Sequence, residues 1–302
     1  MVVPKIQIAA VVASAKTSVS SRVEIKCDRL VPTPTMGEIL VKLEFSGVCH
    51  SDVHSIRGET PMSTDVAGHE GIGRVVEEYI VSPALHVTKI PEKLSPDSAA
   101  PLLCAGIAMY SSIMKTKTRP GDYVAIIGAG GGLGHMGIQI AVKKDLKVFA
   151  IDRTIQSGDI KKQLCLSLGA TDYLDYREVD IVQAIKAKTG FGVHAVICTA
   201  NGERAYEQSM QMLRPLGTLV CVGIPSNPFR LPATPFDMIV KGLTIVGNSA
   251  GTSIEMDELL AMAVAGDVKA HVNVFELDQI NDVLGRLERS DIDGRVVLRI
   301  PE

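Results

Sequence analysis

The chain has 302 residues, 46% hydrophobic and 22% charged, enough to bury a sizeable core and too apolar for wholesale disorder. Lys+Arg 31 against Asp+Glu 34 leave a formal net charge of −3, which indicates no nucleic acid and no anionic membrane as the main partner. Six scattered cysteines without a C-x-x-C exclude a disulfide scaffold, and tryptophan is absent.

The N-terminal run ends in Ala13-Ser14-Ala15, as a signal peptide might end, but Pro4, Lys5 and Gln7 interrupt its apolar part. A first strand over 6–12 is the better reading, followed by short β-leaning runs at 22–27 and 38–46. Beyond about residue 110 strands and helices alternate. Strands are expected at 123–127, 147–151, 195–199, 218–222 and 243–246, and helices at 134–144, 159–168, 178–188, 203–213 and 255–265. This order implies a doubly wound parallel sheet. A helix over 280–287 and a strand over 295–300 close the chain. The uncharged stretch 123–142 is long enough to span a bilayer, but its central glycines make it a strand, a turn and a helix start, and the protein reads as cytoplasmic.

The turn at 128–134 contains Gly128, Gly131, Gly132, Leu133 and Gly134, between strand and helix. Glycine there allows a tight turn and lets helix N–H groups approach a pyrophosphate. The spacing is G-x-x-G-x-x-G rather than G-x-G-x-x-G, so the context carries the reading. Asp152 follows the next strand, 18 residues after Gly134, where a carboxylate accepts from ribose hydroxyls and disfavours a 2′-phosphate, pointing to NAD. Arg153 beside it tempers that preference.

Three further segments stand out: Gly47-Val-Cys-His-Ser-Asp-Val-His54, Gly68-His-Glu70 and Leu102-Leu-Cys-Ala-Gly106. Each alone has a bland reading as turn or packed core. Together Cys49, His69 and Cys104 make a Cys₂His set, suited to a catalytic zinc with an open position, for which alcohol dehydrogenase is the standard example.

On these segments, with Ala67-Gly-His-Glu-Gly71, Gly131-Gly-Leu-Gly134, Ile151-Asp152 and Val222-Gly-Ile-Pro225, the chain resembles the zinc-dependent medium-chain alcohol dehydrogenases of the yeast and fungal type. The resemblance implies an α/β protein: a Rossmann doubly wound parallel sheet over 109–268, and a shortened GroES-like β-barrel over 1–108 completed by 269–302. It implies one catalytic zinc on Cys49, His69 and Cys104, with Glu70 as an alternating or supporting ligand and Asp52 orienting His69. Ser51 and His54 would form a proton relay. Lys161 would reach the adenosine ribose, Val222 would offer backbone groups to the nicotinamide, and Arg295, with help from His50, would bind the pyrophosphate.

The reaction implied is interconversion of an alcohol with its aldehyde or ketone by hydride transfer to or from NAD, in a homodimer or homotetramer joined partly near 243–247. Two departures matter. Cys104 follows His69 by only 35 residues, where the family carries a further segment on the order of fifty residues with a structural zinc, so a structural zinc is not expected here. No tryptophan follows His54, which suggests a wider pocket than an ethanol slot. The alternatives are a nucleotide-binding protein without catalysis and a zinc-free quinone or enone reductase.

Overall fold

A computed structural model describes residues 4–12, 22–62, 64–75, 80–154, 160–225, 229–289 and 291–301. Ala13-Ser14-Ala15 and residues 76–79 lie outside the described residues. The chain divides into two compact units, Met1–Cys104 with Ala270–Glu302, and Ala105–Lys269.

In the first unit β1 (Ile6–Val12) and β2 (Val23–Leu30) pair antiparallel. There follow β3 (Glu38–Val48), the short helix α1 (His50–Ile56), β4 (Glu70–Val75), β5 (Ile80–Pro83) and the single turn α2 (Pro96–Ala99). The second unit opens with α3 (Ala105–Lys115) and β6 (Tyr123–Ile127), then α4 (Gly134–Lys143), β7 (Lys147–Asp152), α5 (Ile160–Ser167) and β8 (Asp172–Asp175). It continues with α6 (Ile181–Thr189), β9 (Val193–Cys198), α7 (Glu203–Met212), β10 (Leu213–Cys221), α8 (Pro235–Lys241), β11 (Thr244–Gly247) and α9 (Ser253–Ala265). The chain returns to the first unit through β12 (Val272–Glu276), α10 (Ile280–Glu288) and β13 (Arg295–Arg299).

The second unit is the expected parallel sheet, in the order β11-β10-β9-β6-β7-β8. Its strands are apolar on both faces: Val124, Ala125, Ile126, Val148, Ile151, Val196 and Ile197 are all buried. That composition fits a sheet covered by helices on each side. The first strand of the unit, β6, lies between β7 and β9, so strand order reverses beside its C-terminal end. In open α/β sheets ligands bind in the crevice at such a reversal. The glycine turn leaves β6 at this point. The stretch 123–142 is indeed strand, turn and helix, and among the described residues no helix is long and apolar enough to cross a membrane.

The first unit is the β domain that the resemblance implies, with residues from both ends of the sequence. Its main sheet runs β12-β13-β3-β4, with β5 also on β3. β13 is antiparallel to β3 and parallel to β12, so the last strand of the chain occupies the middle of the sheet. Val53 and Ile56 of α1, Val283 and Leu284 of α10, and Val48, Val296 and Leu298 share one core, each such side chain stabilising by roughly 1.5–3 kcal/mol.

Several elements depart from the sequence reading. The unit boundaries fall at 104/105 and 269/270 instead of 108/109 and 268/269, because α3 starts at Ala105 and belongs entire to the second unit. β10 starts at Leu213, five residues before the expected strand, directly from the end of α7. The four-residue β8, flanked by aspartates, escaped detection because it is too short to show a period.

Candidate metal centre and cofactor turn

Cys49 is the N-cap of α1, with extended backbone at φ −133° and ψ 176°. Its sulfur accepts from the Ser51 N–H at 3.3 Å, while its own N–H donates to Asp52 Oδ2 at 2.9 Å. The second Asp52 oxygen, Oδ1, faces His69 Nδ1 at 2.9 Å. A single buried carboxylate therefore fixes two of the expected ligands. An ionised carboxylate only accepts, so Nδ1 of His69 carries a proton and Nε2 points at the thiols.

His69 Nε2 lies 3.3 Å from Cys49 Sγ and 3.3 Å from Cys104 Sγ. Cys104 arrives from the other side of the unit, at the end of the 3-10 turn over Ala100–Leu103 that follows α2. Ligand atoms of Cys49, His69, Glu70 and Cys104 all lie within 4.8 Å of one another. Zinc–sulfur bonds near 2.3 Å and zinc–nitrogen bonds near 2.0–2.1 Å put tetrahedral donors at about this spacing, so the donor set fits the metal. Cys49 is buried, whereas the His69 side chain is 40% exposed, which leaves one side of the cluster open.

The electrostatics suit a cation. Hydrogen bonding from Cys104 holds the Cys49 thiol well below its usual range, against the opposing effect of burial, with His69 and Arg295 adding to the lowering. The hydrogen bond to Asp52, then that to Cys49, raises His69 to about 11. The Cys104 thiol is pushed up, because it donates to Cys49 and is desolvated. A metal ion would take the place of these protons.

Glu70 and Arg295 meet inside the first unit. Arg295 opens β13, whose first four residues are buried, is 4% exposed, and pairs with the Oε1 of Glu70, which is wholly buried. Its Nη2 faces this counter-charge inside the first unit, as a buried arginine requires, while among the described residues its Nε has no hydrogen-bond partner. Glu70 Oε1 remains 3.8 Å from His69 Nε2. Burial, before the opposing pull of Arg295, raises the Glu70 carboxyl to about 7. A Cβ at Gly47 would overlap the Glu70 carboxylate, so that glycine of the Gly-Val-Cys segment makes room for it.

Ser51 and His54 stand one turn apart on α1, on one helix face. His54 is buried, and its Nδ1 meets Glu59 Oε2, a partner the sequence reading missed. The signal was an acidic residue just past the helix end, which has many uses in a sequence and one in the fold. His50 is exposed at the helix start.

In the second unit Gly128 takes φ +80°, and its N–H and that of Ala129 bond the Ile151 carbonyl, tying the turn to β7. A Cβ at Gly134 would come 2.5 Å from Ala129 Cα, so helix α4 and the turn approach too closely for a side chain. Asp152 Oδ2 accepts from the Gly130 N–H at 2.8 Å, and Oδ1 from the Arg153 N–H at 2.8 Å. Lys161 Nζ lies 3.5 Å from Asp152 Oδ1, with its stem packed on Gly130. The structure thus gathers Gly128, Gly131, Gly132, Leu133, Gly134, Asp152 and Lys161 around one turn. The Val222 N–H donates to the Cys198 carbonyl at 3.0 Å.

Two family models match this chain: the alcohol dehydrogenase GroES-like domain over residues 35–79 and the zinc-binding dehydrogenase domain over residues 132–265. The alcohol dehydrogenase of Moraxella sp. (strain TAE123) is 33% identical over 323 aligned residues, covering 89% of this chain and 93% of the relative. An alcohol dehydrogenase of Geobacillus stearothermophilus is 35% identical over 321, covering 88% and 92%. Among solved structures, the alcohol dehydrogenase of the hyperthermophilic archaeon Aeropyrum pernix superposes with a TM-score of 0.85 at 26% identity, covering 97% of this chain and 100% of that one. The acetophenone reductase of Geotrichum candidum, solved in complex with NAD, superposes with a TM-score of 0.85 at 24% identity over 99% and 98%. This chain belongs to the zinc-type medium-chain alcohol dehydrogenases, and alcohol oxidoreduction is the activity of its relatives.

Proposed function

We propose that the protein is an NAD-dependent alcohol dehydrogenase with one catalytic zinc, held by Cys49, His69 and Cys104 with Glu70 behind them. The observation that supports this most is the convergence of the three donor atoms, with Nε2 at 3.3 Å from each sulfur, although Cys104 follows His69 so soon in the chain. A bound zinc supplies Lewis acidity to an alcohol oxygen, and NAD supplies the hydride acceptor. The chain's own residues do the rest. Asp52 orients His69, Ser51 takes the alcohol proton, and His54 conveys it toward solvent. The turn at 128–134 receives the pyrophosphate, while Asp152 and Lys161 face the adenosine ribose.

Purified protein should contain about one zinc per chain and show alcohol-dependent NADH absorbance at 340 nm. A metal content near zero with no turnover on any of ethanol, 2-butanol, cyclohexanol and benzyl alcohol would sink this reading. Lacking tryptophan after His54, the enzyme should favour the bulkier substrates in that panel.

The shortening between His69 and Cys104 is part of the same proposal. The aligned length of 323 exceeds the 302 residues of this chain, so the relative contributes residues that have no counterpart here. A compartment that keeps thiols reduced is supported by six free cysteines. Self-association through the second unit is supported by the edge position of β11 and by Phe236, Ile239 and Val240 of α8, exposed by 71%, 80% and 63%. Sedimentation velocity decides it: a monomer at micromolar concentration overturns the oligomer.

A further inference from the structure

His54 is 8% exposed in its side chain and Glu59 35%, and the two meet through Nδ1 and Oε2. The pairing is built into the backbone. The Glu59 N–H donates to the His54 carbonyl at 2.9 Å and the Thr60 N–H at 3.4 Å, and the turn between passes through Gly58 at φ +73°. Ser55 and Thr60 hydroxyls close the same loop at 2.9 Å. Other charges around the imidazole are His50, with ring centroids 6.3 Å apart, and Arg57. Arg57 Nη1 is 3.9 Å from Glu59 Oε1, and its Nη2 is 2.5 Å from Glu288 Oε1 at the end of α10.

An ionised carboxylate has no proton to give, so the pairing puts the proton of a neutral His54 on Nδ1 and leaves the lone pair on Nε2. We propose that Glu59 is the positioning residue of His54, fixing the tautomer that can accept a proton at Nε2 and stabilising the imidazolium that results. The arrangement has the logic of the aspartate that orients the histidine of a catalytic triad. An N–H bond forms at Nε2 as the donor O–H breaks, the proton then leaves the same nitrogen to water, and Glu59 stays ionised throughout. This inference rests on the proposed relay role of His54.

The test uses the zinc-loaded, full-length enzyme as Glu59→Gln, Glu59→Ala, His54→Gln and the double variant His54→Gln/Glu59→Gln, with melting temperature and zinc content checked in each. Glu59→Gln should lower kcat for alcohol oxidation about tenfold with little change in KM for alcohol, since it weakens a base and removes no substrate contact. In the His54→Gln background the same change should alter kcat less than about twofold, the signature of a residue acting through another. Nitrogen-15 NMR of the imidazole gives a readout independent of turnover: Nδ1 protonated in the wild type, and a switch toward the Nε2–H tautomer in Glu59→Ala.

Slow His54→Gln beside fully active Glu59→Gln overturns the role of Glu59 alone. His54→Gln as fast as the wild type removes the relay itself, a failure of the underlying reading. An unchanged tautomer in Glu59→Ala overturns the inference whatever the activity.

Discussion

The guanidinium of Arg295 and the carboxylate of Glu70 form a buried ion pair between two residues 225 positions apart in the chain, one on β13 and one at the start of β4. Neither side chain has appreciable contact with water, so each depends on the other. Arg295→Ala should destabilise the first unit by about 3–5 kcal/mol, the usual cost of stranding one half of a buried pair. The double variant Arg295→Met/Glu70→Gln should recover most of that loss, as read by urea denaturation of the metal-free protein. The deficit has a sign in pH. Glu70 has its folded pKa raised to about 7 from 4.5, so its contribution is fully present below the unfolded value and is lost as pH rises through about 7. Without Arg295 the carboxyl rises further, and the variant should lag the wild type more at pH 8 than at pH 5. A deficit independent of pH counts against this account.

The shared carboxylate of Asp52 predicts a graded metal series. Cys49→Ala and Cys104→Ala should each bring zinc close to zero per chain by atomic emission, since three protein donors are the minimum of a catalytic site. Asp52→Asn should retain the metal but weaken its binding about 10–100-fold in competition with a chelating dye, because it loosens His69 and the Cys49 cap together. Equal retention in all three variants excludes the assigned ligand set.

How much of this was legible beforehand divides by the range of the interactions. The parallel sheet was, because apolar strands such as Tyr123–Ile127 carry their assignment in five consecutive residues. The segments holding Cys49, His69 and Cys104 were also visible, since their residue types declare the chemistry. Distance was not. That Cys104 reaches His69 depends on the path through α2 and the 3-10 turn, which no local pattern encodes. The pairing of Arg295 with Glu70 was hidden for the same reason. Arg295 opens a strand reading Arg-Val-Val-Leu-Arg, and nothing in those five residues says that the strand is central and that its first side chain must find Glu70. Glu59 was missed because a carboxylate in a turn is ordinary until a buried imidazole is seen against it.

Close approach at the cofactor turn makes Gly134 the least replaceable glycine there. A methyl at this position meets Ala129 Cα at 2.5 Å and also the Gly128 carbonyl. Gly134→Ala should cost about 1–3 kcal/mol through overpacking and raise the dissociation constant for NAD, measured by fluorescence titration. Unchanged stability shows that the turn shifts aside.

Asp152 holds the glycine turn and faces Lys161, so its replacement has two consequences. Asp152→Ala should raise KM for NAD at least about tenfold, the loss of one charge-assisted hydrogen bond, with a smaller change for NADP. The ratio of kcat/KM for the two cofactors is the measurement. A ratio that does not move refutes the assignment of Asp152 to ribose recognition.

Helix α9 begins with a reciprocal cap: the Glu255 N–H donates to Thr252 Oγ1 at 3.2 Å and the Thr252 N–H to Glu255 Oε2 at 2.7 Å. Thr252→Ala should destabilise the second unit by about 1 kcal/mol in thermal melts. Burial pushes the Glu255 carboxyl up, but the Thr252 N–H and hydroxyl outweigh it and the net shift is downward. A depressed carboxyl contributes above its unfolded pKa and loses that contribution as pH falls through the folded one. The gap between wild type and Thr252→Ala should therefore narrow in acid.

The central place of β13 bears on how the molecule is made. All four residues of the metal cluster have been synthesised by residue 104, yet the strand that splits the sheet and supplies the guanidinium for Glu70 is made only at residues 295–299. The second unit is one unbroken stretch and can fold while synthesis continues, whereas the first must hold its thiols in an open sheet until the last strand arrives. Oxidation or capture by the wrong metal is thus most threatening before β13 joins the sheet, a strand that holds none of the ligands.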